Sequence, residues 1–221
     1  MDYLKLIESL DTELFLFLNG YHNSFFDGFM YLLSQAYIWV PFYISTIYIL
    51  IKVTKKEAVW LILALILCVV LADRISSGVI KDLVQRLRPT HNPSLEGLVH
   101  IVNGYLGGKY GFVSSHAANT FGFALLSSLL IRNRVYVFSV FSWAFIISYS
   151  RIYLGVHYPL DILGGVIVGS FAAILCFCLI KKFCTITLSH KFTQKVVRVP
   201  LFVLGLSILS ISVYSLFILW N

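Results

Sequence analysis

The sequence predicts an all-α, polytopic membrane protein: six membrane-crossing helices behind an N-terminal amphipathic helix lying in the interface. Three observations point there. Of 221 residues, 59% are hydrophobic and only 12% are charged, which is too apolar for an ordinary soluble domain. Long stretches are nearly free of charge, and a helix needs about 20 apolar residues to cross a bilayer core of about 30 Å. Lysine and arginine gather in alternate connections, so the formal charge of +7 follows from membrane topology and not from nucleic-acid binding.

Within residues 3–28, Leu4, Ile7, Leu10, Leu14 and Phe17 recur at near-helical spacing, with Glu8, Asp11 and Glu13 between them. That pattern predicts an interfacial helix over 1–28, broken near Asn19-Gly20. The acidic start lacks the basic region and cleavage site of a signal peptide. Residues 30–51 form the first expected span, kinked by Pro41. Residues 58–80 form the second, apolar until Asp73-Arg74. A polar loop over about 81–112 carries Pro89, Pro93 and a glycine-rich segment at 107–111. Residues 117–131, 135–150, 162–180 and 199–220 complete the six. Gly165 and Gly169 give the fifth span a small-residue packing face. Cys68, Cys176 and Cys178 lie in apolar runs and Cys184 beside lysines, with neither zinc-like spacing nor a disulfide framework.

Lys52, Lys55 and Lys56, then Arg132 and Arg134, then the cluster from Lys181 to Arg198 all fall on one side of such a bundle. The positive-inside rule makes that side cytoplasmic. The N-terminus, the 81–112 loop and the 150–161 loop then share the outer face. No repeat or linker interrupts the chain, so residues 1–221 read as one domain.

The polar chemistry collects in three places, all on that outer face. Lys81 and Arg88 are seven apart, close to two helical turns, and form a two-cation phosphate clamp ahead of Pro89. Val113-Ser114-Ser115-His116 opens a span, where free N–H groups and the helix dipole favour an anion. The Ser114 and Ser115 hydroxyls add donors, and His116 is placed to protonate a leaving oxygen. Ser150 to Asp161 then offers Arg151, a forked cation suited to phosphate, followed by His157 and Asp161 four apart. With a helix starting near Pro159, the carboxylate fixes one imidazole nitrogen and leaves the other to attack. Taken singly, each group is explained by snorkelling or helix capping. Asp73, spaced by four from Ser77 and Lys81, either braces the clamp as a supporting group or belongs to an ion pair within the bundle.

Together these stretches resemble the signature of the type-2 phosphatidic acid phosphatase superfamily, which also contains the vanadium haloperoxidases. That signature is K-x6-R-P, P-S-G-H and S-R-x5-H-x3-D. Lys81, Arg88 and Pro89 match the first part; Ser150, Arg151, His157 and Asp161 match the third. Ser114 and His116 match the second, with Val113 in place of proline and Ser115 in place of glycine. The resemblance covers about 58–180, the expected catalytic core.

It implies a metal-independent membrane lipid phosphatase without cofactor, working through a phosphohistidine on His157. Asp161 would orient that histidine, and His116 would act as acid and then base. Lys81, Arg88, Arg151, Ser114 and Ser115 would hold the phosphate. The implied partners are the bilayer and a lipid phosphate: undecaprenyl pyrophosphate, phosphatidylglycerol phosphate or a lipid A phosphate. The implied location is a bacterial inner membrane, with the site facing the periplasm or exterior. A catalytically silent lipid-binding or lipid-translocating relative would have lost His116, His157 or Asp161, and all three are present. The haloperoxidases are soluble, which this composition is not. His22, His91, His100 and His190 match no part of the signature.

Overall fold

The computed structural model describes residues 3–183 and 192–220; Cys184, His190 and Lys191 lie outside the described residues. The chain is all-α, and the β pairing among the described residues is a single isolated bridge between Leu87 and Tyr110. The helices are α1 (Tyr3–Asn19), α2 (Ser24–Leu33), α3 (Val40–Thr54), α4 (Ala58–Asp73), α5 (Lys81–Val84), α6 (Ser115–Ile131), α7 (Arg134–Tyr153), α8 (Pro159–Phe183) and α9 (Gln194–Trp220).

Four helical stretches are long and apolar enough to cross a membrane: Ala36–Val84, Arg134–Tyr153, Pro159–Lys182 and Gln194–Phe217. α6 is a shorter apolar helix, and Lys55, at a positive φ of 51°, interrupts the first stretch. Leu163, Ile167, Phe171 and Ile174 stay exposed along α8, as do Phe202, Leu206, Leu209 and Val213 along α9. Apolar stripes of that length belong against lipid. The chain is an α-helical membrane protein.

Two expectations change. The first expected span is not one helix. α2 ends at Leu33, a 3-10 turn covers Ala36–Trp39, and α3 begins at Val40. Pro41 sits in the first turn of α3, where its missing N–H would have had no partner, so it starts a helix and does not kink one. The second span is not one α-helix either. Arg74–Ile80 is π-helical before α5 begins. Its wider turns shift the register, so Asp73, Ser77 and Lys81 are not stacked by their spacing of four.

α1 ends at Asn19, and Asn23 caps α2 by accepting the Phe26 N–H. The buried positions of α1 are Asp11, Phe15 and Asn19, while Leu4, Ile7, Leu10, Leu14 and Phe17 are exposed. The buried side thus carries Asp11 and Asn19 around Phe15, while the exposed side mixes leucines with Lys5, Glu8 and Glu13. Asn19 fixes it in place. Its Nδ2 donates to the Tyr153 carbonyl at 2.8 Å, and its Oδ1 accepts the His100 N–H at 2.8 Å.

α6 and α8 form the most intimate pair, and small residues are the reason. A Cβ at Gly165 would collide with the Ser114 carbonyl, and one at Gly169 with the Ala118 carbonyl. α6 also packs on α4 and α7. Below the polar end, Tyr43 and Phe123 meet edge-on at 4.9 Å and Trp39 and Trp143 at 5.6 Å, tying α3, α6 and α7 together.

Because consecutive helices run antiparallel, the end of α5, the start of α6, the end of α7 and the start of α8 meet at one end of the bundle. Lys52, Lys55, Arg134, Lys181 and Lys195 sit at the other ends of these helices and their neighbours. Gly169→Val forces α6 and α8 apart and is expected to cost at least about 1–3 kcal/mol. A lower unfolding midpoint in detergent than for Gly205→Val, where the added Cβ meets nothing, checks it; equal midpoints would contradict the close approach.

Candidate active site

His157 lies in the turn between α7 and α8, and Pro159 starts α8 immediately after it. That turn brings His157 Nδ1 to 3.2 Å from Asp161 Oδ2. The same oxygen accepts the Tyr158 N–H at 3.0 Å. Both side chains are buried, His157 to 1% exposure and Asp161 to none. Gly111 passes so close that a Cβ there would lie 2.8 Å from Asp161 Oδ2, and its backbone bonds to His157. Only glycine fits that approach. Burial lowers the His157 pKa well below the usual imidazole range, and the positive charges of Arg88, Arg151 and Lys81 lower it further. The imidazole is therefore neutral at pH 7.

Those same three cations surround His157. Arg151 is 2% exposed, and its Nη2 donates to the Tyr105 hydroxyl at 2.9 Å. Arg88 is 8% exposed, and its Nε donates to the Tyr110 carbonyl at 3.1 Å. Lys81 Nζ donates to Ser115 Oγ at 3.3 Å. Burial, then the charge of Arg151, lowers the pKa of Arg88, although a guanidinium stays protonated. Arg88 Nη1 and Arg151 Nε are buried donors without a partner among the described residues. Among the described residues, none of the three cations stands in an ion pair with a carboxylate. Clustered buried cations repel one another, and an anion among them relieves both the repulsion and the unmatched donors.

Lys81 and Arg88 are not two turns of one helix. Gln85, with φ of 52°, ends α5, and Arg88 is extended at φ −67° and ψ 156° before Pro89. The Arg88 N–H instead donates to the Lys109 carbonyl, and the Gly111 N–H to the Arg86 carbonyl, so a short two-stranded clasp carries Arg88 inward.

Ser114 is the N-cap of α6. Its Oγ accepts the Ala117 N–H, and its own N–H donates to the Asp161 carbonyl at 2.9 Å. Both groups are thus engaged in positioning the helix start. Ser115 reaches Lys81, and the first-turn N–H groups of Ser115 and His116 point out of the helix end. His116 bonds to the backbone of Ser34 and lies close enough to Arg151, His157 and Lys81 to feel their charges.

His116 also borders a groove of about 460 Å³ that runs down between α3, α4 and α6, lined by Trp39, Tyr43, Leu65, Ile66 and Phe123. Asp73 lies on its wall and accepts from Asn119 Nδ2 at 3.4 Å. No ion pair joins Asp73 to Arg74 among the described residues. Nor does any group of three His, Cys, Asp or Glu side chains there stand close enough to hold a metal ion.

Sequence reasoning missed Arg86, Asp11 and Tyr105. Arg86 Nη1 donates to Asp161 Oδ1 at 3.0 Å, and Arg86 Nη2 to Asp11 Oδ2 at 2.7 Å. Signals for the first two existed. Arg86 is two residues from Arg88, the spacing that puts side chains of an extended segment on one face. Asp11 shares a stripe of spacing four with Phe15 and Asn19. Tyr105 carried none.

The arrangement holds a neutral, carboxylate-oriented histidine against three cations and a helix start, with a second histidine at the mouth of an apolar groove. The chain is 42% identical to the lipid A 4′-phosphatase of Bacteroides thetaiotaomicron over 81% of its own length and 80% of that protein. It is 40% identical to the lipid A 4′-phosphatase of Porphyromonas gingivalis over 75% and 71%. Among solved structures it resembles Aquifex aeolicus LpxE, with a TM-score of 0.57, 28% identity, and coverage of 76% of this chain and 95% of that one. Residues 57–184, which span the His-Asp pair and all three cations, match the PAP2 superfamily, and the chain belongs to that superfamily.

Proposed function

We propose that this protein is a membrane phosphatase that removes phosphate from a lipid A-type glycolipid at the outer face of a bacterial cytoplasmic membrane. The observation that carries the reading is the pair of buried guanidinium donors, Arg88 Nη1 and Arg151 Nε, unmatched among the described residues beside a neutral histidine. Relatives named lipid A 4′-phosphatases, at 42% and 40% identity, favour the glycolipid over a prenyl pyrophosphate. The apolar groove at His116 suits an acyl chain. The basic residues at the opposite helix ends favour an outward-facing site.

The reaction runs in two displacements. His157 Nε2 attacks phosphorus in line while Asp161 holds Nδ1–H. The bond from phosphorus to the lipid oxygen breaks, and His116 gives its proton to that oxygen. Lys81, Arg88, Arg151 and the start of α6 stabilise the charge on the equatorial oxygens. Water then attacks the phosphohistidine, giving a proton to His116. The N–P bond breaks and inorganic phosphate leaves. Asp73 and Asn119 stand behind His116 in the groove wall and support the leaving-group side.

Purified protein in detergent should release phosphate from lipid A faster than from undecaprenyl pyrophosphate or phosphatidylglycerol phosphate. In sealed right-side-out vesicles it should hydrolyse nitrophenyl phosphate added outside without permeabilisation. Turnover confined to the prenyl pyrophosphate would overturn the substrate, and latency until detergent is added would overturn the sidedness.

The two histidines separate kinetically. His157→Ala should abolish both turnover and the alkali-stable, acid-labile phosphate label on the protein, with any substrate. A general acid contributes about 10²–10⁴-fold, and less as the leaving group improves. His116→Ala should therefore lose lipid turnover but accumulate phosphoenzyme from nitrophenyl phosphate. Labelled phosphate on His157→Ala would refute the nucleophile.

The pH profile follows from the cations. His157 attacks only when unprotonated, so kcat/KM falls as pH drops through its pKa, well below the ordinary imidazole range. Arg88→Gln removes a charge that depresses that pKa, so the acid limb should move to higher pH on the same substrate. An unmoved or lower limb would mean that His157 is not the titrating group.

A further inference from the structure

Asp161 makes a bond that the proposed chemistry does not use. Its Oδ2 faces His157, but its Oδ1 accepts from Arg86 Nη1 at 3.0 Å. Arg86 differs from the three cations around His157. Its Nη1 is engaged by Asp161 and its Nη2 by Asp11 at 2.7 Å. Its guanidinium stacks 4.0 Å from the Tyr158 ring. Tyr158 is itself held by Asn92 Nδ2, which donates to its hydroxyl at 3.0 Å, and by the edge of Phe15 at 5.3 Å. With each terminal nitrogen bonded to a carboxylate, the Arg86 charge is balanced within the protein, unlike that of Arg88 or Arg151.

Asp11 closes the chain from the other side. It is 5% exposed and projects from the buried stripe of α1. Its Oδ2 takes Arg86, and its Oδ1 accepts the Leu160 N–H at 2.9 Å, in the first turn of α8 and next to Asp161. One carboxylate thus fixes both the guanidinium that holds Asp161 and the backbone that bears it. Phe15, one turn along α1, packs in a small apolar cluster with Leu95, Ile152 and Tyr158 and keeps α1 in place.

We infer that Asp11 and Arg86 are positioning residues for the reaction, completing a chain Asp11–Arg86–Asp161–His157 through which the interfacial helix α1 sets the orientation of the nucleophile. The inference rests on the proposed role of His157. In the phosphorylated intermediate the imidazole gains positive charge, and a fixed, ionised Asp161 stabilises it. Arg86 keeps one carboxylate oxygen occupied so that the other stays on Nδ1–H. Asp11 balances the guanidinium charge and prevents Arg86 from turning away. The chain therefore acts on the chemical step and not on phosphate capture, which falls to Lys81, Arg88 and Arg151.

The test uses the full-length protein in detergent, with nitrophenyl phosphate and lipid A as substrates. Arg86→Gln should lower kcat about 10–100-fold, the usual effect of losing an orienting partner. KM should stay within about twofold, because ground-state binding is untouched. Asp11→Asn keeps the size and the acceptor for Leu160 and should show a smaller kcat loss. The double variant should be no slower than Arg86→Gln, because Asp11 works through Arg86. Arg86→Lys should recover part of the rate. Millimolar methylguanidine should raise the rate of Arg86→Ala, since the Arg86 side chain is 20% exposed and its site can be reached.

A folded Arg86→Gln with the parental kcat, or one altered only in KM, would overturn the inference. So would fully additive losses in the double variant. If Arg86→Gln does not fold, Asp11→Asn decides: an unchanged kcat at unchanged elution and unfolding midpoint overturns the inference. A parent protein that forms no phosphohistidine defeats the proposed function instead, so the two failures are distinguishable.

Discussion

The close approach of α6 and α8 is the constraint on which the polar end of the bundle depends. Gly165 and Gly169 let the backbone of α8 lie directly against that of α6. Only at that distance does the Ser114 N–H reach the Asp161 carbonyl at 2.9 Å. That single bond joins two helix starts, one carrying Ser115 and His116 and the other carrying Asp161. The N-terminal dipoles of both helices then point into the same small volume, which favours negative charge before any side chain is counted.

Charge placement explains the rest of the site. Four buried or half-buried cations stand within it, and they fall into two kinds. Arg86 lies between Asp11 and Asp161, with one bond to each carboxylate. Arg88 and Arg151 are more deeply buried and, among the described residues, have no carboxylate partner and keep donors unmatched. A low-dielectric pocket with unmatched cations is costly in isolation and strongly attractive to a phosphate. The same field keeps His157 neutral, so the feature that would hold the substrate also keeps the proposed nucleophile available.

Two surfaces flank the polar end of the bundle. The groove between α3, α4 and α6 brings apolar side chains up to His116, where a lipid leaving group would depart. On the other flank, α1 turns Leu4, Ile7, Leu10 and Leu14 outward and Asp11 inward. Phe15 and Asn19 join Asp11 on the buried side of α1, and Lys5, Glu8 and Glu13 share the outer side with those leucines. The π-helical turn at Arg74–Ile80 separates the membrane-embedded α4 from α5 and rotates Lys81 relative to Asp73.

The sequence by itself determined the all-α membrane class, from composition and charge-free runs. It also determined the family, because Lys81, Arg88, His116, Arg151, His157 and Asp161 sit in short stretches whose spacing is set by covalent geometry. The His157–Asp161 contact spans a single turn at the start of α8 and was legible for that reason. The helix breaks at Ser34–Gln35 and Arg74–Ile80 were not, since a proline and a polar pair each fit a kinked span as well as a broken one. Only the tertiary structure decided that Arg88 reaches inward from a clasp with Lys109–Gly111 and not from a helix. Only it joined Asp11 to Arg86, 75 residues away, and to Leu160, 149 residues away. Such contacts leave no periodicity in the chain. They exist because packing excludes water around α1 and α8, and a carboxylate buried there must find its partners among whatever groups the fold brings near.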